Sequence, residues 1–145
     1  MHRPTKLSAT GQLLLRDHQR MDELMERLLD DIHRGEWSVC QSTWSTFERQ
    51  LLQHFEAEET FLLPALDAES PEETAALRTE HANVRRLLAD MGVRIELHTL
   101  REEHVRRFIE MLKAHAAREE ALLYRQARDL PADIAETLAQ RCASR

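Results

Sequence analysis

The stretch LLLRDHQRMDELMERLLDDIH, residues 13–33, places Leu14, His18, Met21, Met25, Leu28 and Ile32 at steps of 4, 3, 4, 3 and 4. Alternating steps of three and four keep one side of a 3.6-residue helix apolar, so the segment predicts an amphipathic helix with a buried face. Ser8 or Thr10 can cap its start, and Gly35 is a C-terminal stop. The same rhythm recurs three times further along. It runs through Phe47, Leu51, His54, Glu58 and Phe61, then Leu77, His81, Val84, Leu88, Met91 and Ile95, then Phe108, Met111, His115, Glu119 and Leu122.

The punctuation between these stripes sets the predicted boundaries. A second helix starts at Ser38 or Ser42 and runs to about Leu63, before Pro64. The turn DAESP precedes a third, opened by Pro71 with two glutamates behind it and running through Met91. Gly92 either ends that helix or only weakens it. A fourth begins at Thr99 or a neighbour and runs to about Asp129. Pro131 opens a short fifth helix, about 131–142, with Ile134 and Leu138 on one face.

Glycine and proline together are only 7 of 145 residues, about 5% against an average near 12%. So few breakers exclude the many tight turns of a β-sandwich or barrel, and no glycine-rich phosphate loop is present. The expected class is all-α: an up-down-up-down four-helix bundle with a short C-terminal fifth helix. Length implies a single domain over 1–145, its bundle core at about 8–129. A net charge of −6 without a clustered basic face argues against nucleic acid or anionic membrane as partner. No 18-residue apolar run exists, and MHRPTKLSATGQ lacks the apolar core of a signal peptide. Cys40 and Cys142 have neither metal nor redox spacing, so a cytoplasmic protein with reduced thiols is expected.

Each apolar stripe contains a histidine, and two also carry a glutamate four residues later: His18; His54 and Glu58; His81; His115 and Glu119. Ionised carboxylates are not buried without a charged partner or a metal. Residues at one height in an antiparallel hairpin are equidistant from its turn. The midpoint of His18 and His54 is position 36, that of His54 and His81 lies between Asp67 and Ala68, and that of His81 and His115 is His98. All three fall at predicted turns, so the four histidines are expected in one layer, with Glu58 and Glu119 one helical turn away on the same faces.

The chain also repeats itself. HFEAEETFLLPAL from His54 and HAAREEALLYRQA from His115 both begin H-x-x-x-E-E and run on to a Leu-Leu pair. Two hairpins related by a pseudo-two-fold, each giving two histidines and one carboxylate, suit two metal ions better than one. His2, His33, His98 and His104 lie outside this layer. Glu59 and Glu120, five residues from their histidines, are expected to be solvated or to support the ligands, Glu120 being the closer candidate.

These residues together resemble the hemerythrin-like, HHE cation-binding family, over about His18 to Tyr124. The resemblance rests on His18, on His54 and Glu58 with the following EETFLLPAL, on His81, and on His115 with Glu119. It implies a non-haem di-iron centre with an oxo or hydroxo bridge, handling O2, NO or peroxide, sensing oxygen or redox state, or storing metal. On that reading His18 and His54 hold one ion, His81 and His115 the other, and Glu58 and Glu119 bridge them. Zinc or manganese would also be compatible with the donors. The oxygen-carrying hemerythrins have a further histidine one turn after the third-helix histidine, where this chain has Arg85. Their second carboxylate comes at i+5, whereas here it comes at i+4. The site is thus similar to the four-histidine, two-glutamate variety of the repair-of-iron-centres proteins, whose cysteine-containing amino-terminal domain has no room here.

Asp22 and Arg85, each one turn after a histidine, are candidates to support the centre. Arg85 could bond a bridging carboxylate, steer an anionic ligand, or make a surface pair with Asp22 or Glu80. The expected function is binding or sensing of O2, NO or a related small ligand. The alternatives are a di-iron enzyme reducing NO or peroxide, and an iron store.

Overall fold

A computed structural model describes residues 9–126 together with the isolated positions Glu136 and Gln140, and side-chain environments over 11–122. Apart from those two positions the predicted fifth helix lies outside the described residues, as do Cys142 and the side chain of Tyr124. What is described is all-helical. The elements are α1 (Ala9–Arg34), α2 (Trp37–Ala57), a π-helical turn (Glu58–Leu62), α3 (Leu63–Leu66), α4 (Pro71–Glu96) and α5 (Glu102–Gln126). Both α1 and α4 pack against α2 and α5, so each long helix has two neighbours.

The connections are short and fall where the histidine midpoints require. Gly35 ends α1 at φ +68°, in the left-handed region, and its N–H bonds the Ile32 carbonyl at 3.0 Å. The reversal is tight enough that α2 starts at once, its first bond running from Cys40 N to Glu36 O at 3.0 Å. Neither Ser38 nor Ser42 caps it; the cap position is Glu36, without a side-chain bond. The α3–α4 turn is clamped by Asp67, which accepts from Arg78 Nη1 at 2.8 Å and Nη2 at 2.9 Å. Between α4 and α5, His98 takes φ 56° and its ring stacks on Trp37 at 4.9 Å, 2° from parallel.

Gly92 does not end α4, which continues through it to Glu96. A Cβ at Gly92 would lie 3.4 Å from Trp44 Nε1 and 3.7 Å from Glu48 Oε2 on α2, at the near edge of ordinary contact. The two glycines should therefore respond oppositely to alanine. Gly35→Ala forces a side chain into a left-handed backbone and should cost about 1–2 kcal/mol in chemical denaturation. Gly92→Ala meets only ordinary contact and should gain up to about 1 kcal/mol from helix propensity.

The second helical run was expected to stop before Pro64, yet it continues through the π-helical turn into α3 and ends at Leu66. In a regular α-helix the Pro64 ring would meet the carbonyl four residues back, and its missing N–H would leave that carbonyl unbonded. A wider turn relieves both. It also absorbs one extra residue: Leu62–Leu63 follow Glu59 after two residues, while Leu122–Leu123 follow Glu120 after one. The shift in phase moves Leu62 and Leu63 into the core (1% and 0% exposed) and leaves Phe61, expected there, only partly buried. On α5 Leu112 occupies the core position expected for Met111, which is 38% exposed.

The core has two parts. The larger includes Met25, Leu28, Trp44, Phe47, Leu51, Phe55, Leu88, Ile95 and Phe108; the smaller joins Leu14, Leu62, Leu63, Leu66, Leu77 and Leu122. The histidines and glutamates of the stripes lie on the helices between them. Dry packing on both sides makes any charge in that layer costly unless it is compensated there.

Candidate metal centre

All six stripe residues are buried: His18, His54, His81 and His115 at 9%, 2%, 0% and 5% exposed, Glu58 at 0% and Glu119 at 1%. They converge. His54 Nε2 lies 3.1 Å and His81 Nε2 3.4 Å from Glu58 Oε1. His18 Nε2 lies 3.1 Å from Glu119 Oε1, and His115 Nε2 3.3 Å from Glu119 Oε2. The Nε2 atoms of His81 and His115 are 3.1 Å apart. Two four-residue sets can each surround an ion: His18, His54, Glu58 and Glu119, and His81, His115, Glu58 and Glu119. The two glutamates belong to both.

The outward faces of the imidazoles are fixed by four carboxylates. His54 Nδ1–H donates to Asp17 at 2.8 Å, His81 Nδ1–H to Glu59 at 2.8 Å, and His115 Nδ1–H to Glu80 at 2.8 Å. His18 Nδ1–H donates to Glu120 at 3.2 Å. A carboxylate only accepts, so each pairing commits the proton to Nδ1 and turns the Nε2 lone pair inward. Those lone pairs face one another and two carboxylates. Only protons or cations can fill such a layer. His54 Nε2, both Glu58 oxygens and Glu119 Oε2 are buried with no hydrogen-bond partner among the described residues. Buried orphans of this kind, with imidazole and carboxylate donors in two sets, fit two metal ions.

Without metal the layer titrates abnormally. Burial alone would lower His18, His54 and His115, but it is outweighed. The nearby Glu119 carboxylate raises His18 and, with the charge of Glu58 and the bond to Glu80, lifts His115 to about 9. His54 rises well above the usual range on the charge of Glu58, its bond to Asp17 and the nearby Glu119 carboxylate. Burial would raise the Glu119 carboxyl, but His115, His18 and His54 around it hold it well below the usual range. Protons thus occupy the places of cations.

The supporting residues differ from expectation. Arg85 pairs with neither Asp22 nor Glu80 and reaches no central carboxylate. Its two terminal nitrogens bind Glu59 at 2.8 Å each, and its guanidinium lies 5.5 Å from the Phe55 ring centre. Phe55 in turn stacks on His81 at 3.9 Å. Arg85 therefore steadies His81 through two intermediaries. Asp22 makes no bond to His18; Glu120 holds that place. Arg118 pairs with Glu80 behind His115 at 2.9 Å.

Asp17 and Glu80 carry two of the four outward bonds, and stripe periodicity passes over them because both precede a stripe histidine. Their trace is nonetheless in the sequence: an acid stands immediately before each first histidine of a hairpin, Asp17 before His18 and Glu80 before His81.

No helix among the described residues is long and apolar enough to cross a membrane. No curated protein and no solved structure gives a match. The model of the Hemerythrin HHE cation binding domain matches residues 11–127, spanning every residue of the centre. A family match over most of the chain agrees with the ligand geometry, and the chain belongs to the hemerythrin HHE cation-binding domain family.

Proposed function

We propose that this chain is a dinuclear non-haem iron protein that binds or senses O2, NO or a related small ligand, and that its helices form an up-down-up-down bundle around the centre. The observation carrying the reading is the pair of four-residue sets sharing Glu58 and Glu119. His18 and His54 would hold one ion and His81 and His115 the other, with both glutamates common to the two. When bound, a pair of iron ions supplies redox-active positions that accept a small ligand.

The chain's own residues support that task. A cavity of about 20 Å³ touches His18, His54 and His115 and is walled by Met21, Leu51, Phe55, Leu112 and Ala116. It has room for one or two water-sized molecules, which suits a diatomic and excludes an organic substrate. The apolar wall keeps bulk water from the centre, and the outward carboxylates keep each imidazole in its ligating orientation.

Anaerobic loading with ferrous iron, metal counting, and optical spectra on adding O2, NO or peroxide test this. Two irons per chain and a stoichiometric spectral change are expected. One metal or none overturns the dinuclear reading. Catalytic consumption of NO or peroxide would make the protein a reductase, and ready loss of iron to a chelator would make it a store.

A further inference from the structure

The cavity beside the centre has a mouth, and its charge is uneven. Of the lining residues, His18, Met21, Leu51, His54, Phe55, Leu112 and His115 are buried. Only Asp22 of α1 is exposed, and Ala116 of α5 is partly so. The opening therefore lies on the α1–α5 seam, with Asp22 at its rim. Lys113, His18, Glu26 and Glu120 act electrostatically on Asp22 from the same two helices. Among the lining residues Asp22 is the one carboxylate; Glu26 and Glu120 add to its negative field, and Lys113 and the His18 ring oppose it. The walls behind it are apolar, and low-dielectric walls focus the field of rim charges into the opening.

We infer that Asp22 is a specificity-determining residue that makes the centre selective for small uncharged ligands over small anions. This deepens the function proposed above and rests on it. An anion approaching the mouth meets repulsion that a neutral diatomic does not. Asp22 acts there through its charge alone, which agrees with its having no bond to His18. Lys113, a cation acting on Asp22, works in the opposite sense.

The test compares azide with NO by stopped-flow on the iron-loaded full-length chain. Asp22→Asn should raise the ratio of azide to NO association rates by roughly three- to tenfold at low salt. Lys113→Gln should lower the same ratio by a similar factor. Both changes should collapse near about 0.5 M salt, where exposed charges are screened over a few ångströms. Opposite signs from two isosteric or near-isosteric changes cannot come from altered cavity shape. An unchanged ratio in both variants, or changes that salt does not erase, overturns the inference. A chain that takes up no iron overturns the function reading instead. The rim is then read on metal-free protein from the Met21 methyl signal, which lines the cavity, titrated with dissolved xenon and with iodide. Asp22→Asn should strengthen the iodide response relative to xenon; an unaltered relative response sinks the gate independently of metal.

Discussion

Glu58→Ala is expected to abolish binding of both metal ions, whereas His81→Ala should remove one and leave the other. Glu58 is fully buried and belongs to both four-residue sets, and neither of its oxygens has a hydrogen-bond partner among the described residues. His81 belongs to one set only. Removing Glu58 takes a donor and a negative charge from each ion in a dry layer, where the charge cannot be replaced by solvent. Outer partners of metal ligands are worth roughly 10–100-fold in affinity, so loss of a shared ligand should weaken both ions by at least about 100-fold. Metal content after dialysis, with circular dichroism to verify the helices, checks this. A Glu58→Ala protein that still holds two ions would remove the basis for a shared-carboxylate centre.

Stripping the metal from the native protein should cost about 4 kcal/mol or more, since a ligand present at a thousandfold excess over its Kd contributes about that much. For a chain of this size that is on the order of 10 °C in Tm. The gap should depend on pH, and its direction follows from the histidines. In the metal-free state His18, His54 and His115 have raised pKa values, His115 at about 9. Their contribution to stability is fully present below the unfolded value near 6.5 and is lost as pH rises through 9. Ligation requires the same imidazoles unprotonated, so metal affinity rises over that window. The loaded and stripped forms should therefore diverge in Tm between about pH 6.5 and 9, with protons released on loading. Parallel melting scans across that range and a proton-release titration measure it. A gap that narrows toward high pH would contradict the protonated layer.

The centre was more legible in the sequence than the helix details around it. Four histidines and two glutamates on apolar stripes leave a strong trace, because burying such groups together is costly without a reason. Their convergence followed from equal distances to Gly35, the Asp67 region and His98. The start of α2 was less legible, because Gly35 reverses the chain so tightly that a side-chain cap is not needed. Proline 64 reads as a stop, and only the one-residue difference between the two Leu-Leu spacings hints that the helix widens and continues. Arg85 and Asp22 could be placed near their histidines but not assigned partners. One turn of helix brings a side chain to the right height, while its contact depends on the neighbouring helix. Asp17 and Glu80 needed the structure, since their role is visible only from the far side of the imidazoles.

The outward carboxylates also say something about how the two halves of the chain depend on each other. Asp17 serves His54 and Glu80 serves His115, each within its own hairpin. Glu120 serves His18 and Glu59 serves His81, each across to the other hairpin. Neither hairpin completes its own histidines, yet each offers what its counterpart lacks. Two copies of one hairpin would satisfy every requirement, which makes the present chain equivalent to a homodimer whose subunits have been joined end to end. Changes at corresponding positions, such as Glu59 and Glu120 or Asp17 and Glu80, should then act as matched pairs. The widened turn before Pro64 is a place where the two hairpins differ.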